Sequence, residues 1–183
     1  MASNKVNLGI GLATGMFYTA PDGTALPSYP GETLAADWKE VGAVTADGIT
    51  WTTGKDSDPL RNWAKEVERL IASDEGGTVS APLMYTDEDT LKAIFGSDNV
   101  TVTAADSSHG NLVSVTVAPG VSASPAAFLF LMKDGEDMLM LGTSKGIIRE
   151  VGDIAMSPTA AITWECTLEA AAWTFMKDDG QTL

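Results

Sequence analysis

The chain has 183 residues, enough for one domain with a sizeable core and short for two. It is 44% apolar and 20% charged, which is ordinary globular material rather than a chain too polar to fold. Its net charge of −14 and pI near 4.2 repel nucleic-acid phosphates and anionic membranes. That argues against a protein that grips DNA or RNA, but not against one that must lie close to DNA without sticking.

Cys166 is the single cysteine, so no intramolecular disulfide can form and nothing signals an oxidising compartment. The opening MASNKVNLGIGLATG lacks the apolar run of a signal peptide, and no segment approaches a membrane span. The expectation is a protein folded in a cytoplasm, with no membrane partner.

In chain order, residues 1–36 are rich in Gly, Ala, Thr and Pro. Pro21-Asp22-Gly23 marks a turn, while Pro27 and Pro30 block both helix and central strand. This predicts an extended N-terminal arm with one short strand near residues 15–19, either frayed or lying on a neighbouring subunit. Residues 38–45 and 49–53 flank Asp47-Gly48 and predict a hairpin. Residues 55–62 read as a charged loop carrying Pro59. Residues 63–71 fit both helix and strand spacing, with strand favoured from Glu66.

A turn at 73–77 and a strand at 78–85 precede the one convincing helix, TDEDTLKAIFG at residues 86–96. Thr86 with Asp89 reads as a capping box, and Asp87, Glu88 and Asp89 place negative charge on the first turn. Gly96 is a left-handed stop, and Leu91, Ile94 and Phe95 make one narrow apolar stripe. So short a helix is marginal alone, since isolated helices need about 12–15 residues, so it must rest on a sheet.

Strands follow at residues 99–104, 112–118, 126–132, 138–142, 146–156 and 160–170. In the strand at 112–118, Val113, Val115 and Val117 alternate with Ser114 and Thr116. The hairpin AAFLFLM–KDGED–MLMLG is apolar on successive residues, so both of its faces should be covered. In the last strand Ile162, Trp164, Cys166 and Leu168 share one face, and Thr163, Glu165, Thr167 and Glu169 the other. Residues 171–176 could continue it, and 178–183 are a loose tail. The expected fold is mainly β, an antiparallel sandwich or half-barrel of nine to eleven strands with one flanking helix near residues 87–95. A single sandwich domain spans residues 37–177.

No catalytic, metal or cofactor site is expected. His109 sits in a Ser/Gly loop with no carboxylate or cysteine at useful spacing, and Cys166 falls on an apolar face as a buried thiol would. GIGLATG is followed by no βαβ unit. Asp56/Asp58 and Asp87/Glu88/Asp89 lack the glycine and downstream glutamate of a calcium loop. With no acid–base or nucleophile constellation, an enzyme is disfavoured. The positive signals are Trp51 and Trp63 flanking a charged loop, where aromatics suit either protein interfaces or a small satellite core. Glu165 and Glu169, alternating on one strand face, must see solvent.

The order of these features resembles a known family. Asp37-Trp38-Lys39-Glu40-Val41-Gly42, Asp47-Gly48-Ile49-Thr50-Trp51, the polar 55–63 segment, TDEDTLKAIFG with the FG-DNVT passage, the late apolar hairpin and ITWECTLEA are similar to siphophage major tail proteins. These are the tail tube proteins of phages infecting actinobacteria and other Gram-positive hosts. The resemblance covers most of residues 38–170. It implies hexameric rings whose inner strands join into one β-barrel, stacked into a tube through which double-stranded DNA passes. It also implies a place in the virion tail, assembly in the host cytoplasm, and tape measure, tail terminator and tail-tip proteins as partners. By position, the arm and the loop at residues 53–62 would reach neighbouring subunits or rings. The residues this implicates are Tyr18, Tyr29, Trp51, Asp56, Asp58, Arg61 and Trp63, with Glu165 and Glu169 facing the lumen or outer solvent. The alternative is another virion β-sandwich, such as a decoration or tail-tip module, or a tube protein of a contractile secretion system.

Overall fold

The computed structural model describes residues 9–10, 16–54, 57–61, 63–64, 67–72, 76–118, 123–154 and 156–180, with backbone alone for 57–61 and 67–72. It is a β-sandwich-like fold with one α-helix, as the alternation of the late strands predicts. Its twelve described strands run in chain order β1 (Phe17–Pro21), β2 (Lys39–Gly42), β3 (Thr50–Thr52), β4 (Ser57–Arg61), β5 (Val67–Ala72) and β6 (Gly77–Leu83). After helix α1 (Glu88–Phe95) come β7 (Val100–Thr103), β8 (Leu112–Val115), β9 (Ala126–Asp134), β10 (Asp137–Val151), β11 (Trp164–Ala170) and β12 (Thr174–Asp178).

The main sheet has the order β2-β1-β9-β10-β11-β6-β3, with β12 also on β10. β10 is the corner. Its first half pairs with β9 and β12 and its second half with β11, with register shifts between Thr143 and Gly146 and between Ile148 and Glu150. Irregularities of this kind let one strand belong to two packed layers. The first layer is β2-β1-β9-β10-β12 and the second is β10-β11-β6-β3. Residues 138–142 and 146–156, expected as separate strands, are thus largely one strand, because the kink bends the ladder without ending it.

The core between the layers takes Phe17, Phe128, Phe130, Met132, Leu139 and Leu141 from the first. The second gives Val79, Ala81, Leu83, Ile148, Trp164, Cys166 and Leu168, with Leu91 and Ile94 from α1. Alternate residues of β9 and β10, Ala127, Leu129, Leu131 and Met140, face the other way. They are buried under Leu26, Leu34 and Trp38. Both faces of the apolar hairpin are therefore covered, and part of the cover is the Pro-rich segment itself. Part of the segment expected as a free arm is built into the domain. β1 pairs with β9 from Phe17↔Phe130 to Pro21↔Ala126, and the Phe17 ring is fully buried and stacked on Phe130 at 4.6 Å.

Residues 38–53 do not form the expected hairpin. The turn exists, with Gly48 at φ +74° and its N–H donating to the Thr45 carbonyl at 3.0 Å. However, Val44 bridges Leu83 and Thr50 pairs with Ser80, both antiparallel to β6. The chain therefore keeps its direction through the Asp47-Gly48 turn, which acts as a wide bulge. Upstream, β2 pairs with β1 instead, so this segment also passes from one layer to the other. Residues 57–61, expected as loop, are strand β4. Pro59 is tolerated because each strand of a two-stranded ribbon has a free edge. β5 starts at Val67, close to the strand expected from Glu66.

α1 is capped by Asp87, one residue later than expected, with its carboxylate accepting from Thr90 N–H at 3.1 Å. The buried Thr90 hydroxyl donates to the Val41 carbonyl, so the helix lies along β2. Val117, expected on the same strand face as Val113 and Val115, lies past the end of β8 and is exposed.

Candidate assembly surfaces

β4 and β5 form a two-stranded ribbon that, among the described residues, pairs with no strand of the main sheet. It lies in the chain between β3 and β6, and a five-residue strand spans about 17 Å. Trp63 sits at its tip, fully exposed. Removing about 200 Å² of indole surface from water is worth about 5 kcal/mol gross, and no surface of its own subunit takes it up among the described residues. Asp58 and Arg61 lie on β4 opposite Ile71 and Val67. Asp56 lies outside the described residues. Residues 55–72 hold four of the eleven Lys/Arg residues and four Asp/Glu residues, so the ribbon is neutral on a body that carries the whole charge of −14. A neutral arm can approach an acidic copy of the same body without repulsion.

At the root of the ribbon, Trp51 of β3 and Trp173 straddle Gly77. A Cβ there would lie 3.1 Å from each ring and 3.0 Å from the Thr52 carbonyl oxygen, so glycine is what lets the two indoles close over the strand. The Trp173 indole N–H donates to the Gly77 carbonyl at 2.8 Å. Trp51 remains 38% exposed, and Phe175 on β12 is 51% exposed. Trp173 and Phe175 were not singled out from sequence. Residues 171–176, read as a continuation of the last strand, instead break after Ala170 and resume as β12 on β10.

Tyr18 packs on its own subunit's Leu26 and Leu34 layer, and burial with Glu40 nearby raises its phenol pKa. Tyr29 is exposed on the covering segment, beside Met176 and Asp178 of β12.

The second layer presents a bare polar face. Glu165, Thr167 and Glu169 of β11 lie opposite Pro82, Ser80 and Thr78 of β6, and Thr50 and Thr52 of β3 continue the row. Arg149 of β10 donates to Glu169 at 3.1 Å across the exposed surface. Glu165 and Glu169 are thus brought together on one face of β11, as their alternation predicts.

The family model for phage tail tube proteins matches residues 1–180. The chain belongs to the phage tail tube protein family. Comparison with curated protein sequences gives no significant match. As a tail tube protein it is a structural component of the virion tail that self-assembles into a tube, and the family implies a role without catalysis.

The titratable groups of this tail tube protein have structural duties. Asp106 accepts from Ser108 N–H and Oγ–H and from His109 N–H, which lowers its carboxyl pKa and organises the 104–111 loop. Burial pushes the Cys166 thiol up to about 12, so it is inert at neutral pH. Among the described residues no group of three or more His, Cys, Asp or Glu side chains is placed to hold a metal ion.

Proposed function

We propose that the protein is the ring-forming subunit of a siphophage tail tube. Copies assemble as hexameric rings, the rings stack, and the resulting channel carries double-stranded DNA during ejection. The observation that carries this reading is the free β4–β5 ribbon with Trp63 fully exposed at its tip, in a chain matched almost end to end by the tail tube family. An aromatic anchor held away from the body gains nothing until a second subunit covers it.

Residues 1–8 serve as the arm onto a neighbour, and residues 37–177 with β1 make the tube domain; Asp178, expected at the start of a loose tail, instead closes β12 against Met138. Tape measure, tail terminator and tail-tip proteins are the remaining partners, and assembly takes place in the host cytoplasm. The excess of carboxylates suits passage of DNA, because basic groups along a channel would condense on the phosphates and arrest it.

Negative-stain microscopy of concentrated protein tests the reading. Hollow tubes or stacked six-fold rings support it, and globular particles at every concentration and salt tried refute it. Deleting residues 1–8, which leaves β1 intact, tests the arm: a folded monomer that polymerises as wild type does would remove that role.

A further inference from the structure

Going beyond the tube reading, we propose that the turn between β9 and β10 is a site of spontaneous covalent modification. Asp134 isomerises there to isoaspartate through a succinimide formed with the Gly135 nitrogen, while the fold protects the other Asp-Gly pairs of the chain.

The sequence holds four Asp-Gly pairs, Asp22-Gly23, Asp47-Gly48, Asp134-Gly135 and Asp179-Gly180, and no Asn-Gly. Glycine has no Cβ to hinder its backbone nitrogen, which can therefore reach the carboxyl carbon of the preceding aspartate. An unfolded chain offers four comparable sites. The folded chain does not, because the nucleophile is a backbone nitrogen stripped of its proton. An N–H that is already donated is shielded from base and held away from the carboxyl group.

Three of the four glycines are tied in this way. Gly23 N–H donates to the Ser144 carbonyl at 2.9 Å, Gly48 N–H to the Thr45 carbonyl at 3.0 Å, and Gly180 N–H to Asp178 Oδ1 at 2.9 Å. Asp22 has a second restraint, since its carboxylate lies 3.3 Å from Lys145 Nζ. Among the described residues, no acceptor takes the Gly135 N–H. The ladder explains why. Asp134 and Asp137 are the last matched pair of β9 and β10, so Gly135 and Glu136 make a two-residue turn, with Gly135 at φ +65°. The backbone bonds that close such a turn belong to the flanking pair, which leaves the first turn nitrogen to the solvent. Gly135 is exposed, and a Cβ built on it would meet nothing within 4 Å, so water and base have open access.

The chemistry needs only water. The Gly135 nitrogen gives up its proton and bonds to Asp134 Cγ, and the carboxyl hydroxyl departs with a proton as water. Water then opens the succinimide. Attack at Cγ restores aspartate. Attack at the former backbone carbonyl breaks its bond to the Gly135 nitrogen, so that the chain now runs through Cβ and Cγ and the old backbone carbonyl becomes a free carboxylate. One water leaves and one enters, with no oxidation and no net change in mass.

Isoaspartate lengthens the turn by one methylene directly before Asp137. That side chain is buried and lies 2.9 Å from Lys177 Nζ, joining β10 to β12. The product therefore loosens the Met138↔Asp178 end of the β10–β12 ladder. Leu131 and Met140, buried farther along the hairpin, keep the core closed.

Heavy-oxygen water tests the assignment, because each ring opening leaves one solvent oxygen in the residue that reacted. Dilute full-length protein is held folded in it in mildly acidic buffer, where the protonated carboxyl loses its hydroxyl most readily, and is digested in ordinary water. Trypsin places the four pairs in separate peptides, residues 6–39, 40–55, 134–145 and 178–183; any product uncut at Lys133 is counted with 134–145. The expected label in 134–145 is about five-fold above each of the others, the factor set by one backbone hydrogen bond that must first be broken. Protein unfolded in urea loses this preference. No label in 134–145 of the folded chain, or as much in any of the other three, overturns the proposal. Asp134→Glu, whose longer side chain closes no succinimide, should remove the label from that peptide alone, and label persisting there overturns it as well. In protein aged until part of it carries isoaspartate, amide exchange at residues 174–178 should rise, and exchange equal to that of fresh protein overturns the loosening of β12.

Discussion

Replacing Phe17 with Ala separates a strand of the domain from a detachable arm. The ring is fully buried, stacked on Phe130 at 4.6 Å and 16° and on Phe128 at 5.9 Å and 24°. Phe→Ala in a core costs about 3–5 kcal/mol through lost transfer energy and the cavity left behind, with the stacked pairs pushing toward the upper end. Domains of this kind hold about 5–15 kcal/mol in total, so the loss is a large share of stability without abolishing folding outright. With a urea slope near 2 kcal/mol/M, a loss of about 4 kcal/mol lowers the unfolding midpoint by about 2 M. The assay is urea unfolding by tryptophan fluorescence in dilute, unassembled protein, since assembly would add mass-action stability. A midpoint within about 0.5 M of wild type would refute the reasoning, because β1 would then contribute nothing to the core.

Trp63→Ala should leave that urea midpoint unchanged, since the ring is fully exposed, yet raise the concentration needed for polymerisation in sedimentation assays; unchanged polymerisation would remove its anchoring role. Asp87→Ala should cost about 1 kcal/mol through loss of the helix cap, while Thr86→Ala stays within about 0.5 kcal/mol; the reverse order in thermal melts would contradict the cap assignment. Thr90→Val should cost about 1–3 kcal/mol by leaving the buried Val41 carbonyl without its donor, read again by urea unfolding. Cys166 gives a pH signature. Its thiol moves from 9.0 unfolded to about 12 folded, so its contribution is whole below pH 9 and declines between pH 9 and 12, where only the unfolded chain has lost the proton. The stability gap between wild type and Cys166→Ala should therefore narrow by about 1.4 kcal/mol per pH unit through that window, and parallel profiles would disprove it.

Local periodicity was enough for much of the molecule. The alternation in Trp164–Ala170, the apolar run Ala126–Met132, the stop at Gly96 and the stripe Leu91, Ile94 and Phe95 are set by neighbours a few residues apart. They pointed to a β fold with one sheet-bound helix. The burial of Cys166 was legible for the same reason, but His109, read as having no carboxylate at useful spacing, lies with its Nε2 3.4 Å from an Asp106 carboxylate oxygen, because the 104–111 loop folds back on itself. Sequence marked the two tryptophans that flank the charged loop, but could not tell that Trp51 half-closes over Gly77 while Trp63 stands exposed.

Tertiary structure decided what depends on distant partners. Asp47-Gly48 makes its turn, but whether the chain reverses there depends on β6, which holds both flanks in the same direction. Phe17 lies in a Gly/Pro-rich stretch that looks unable to fold, and only the apolar β9 beside it makes β1 a core strand. The sharing of β10 between two layers comes from ladder registers between residues far apart in the chain. Side-chain pattern fixes which face of a strand is wet, because that is a property of alternate residues. Which strands pair is a property of the whole sheet, and no local pattern carries it.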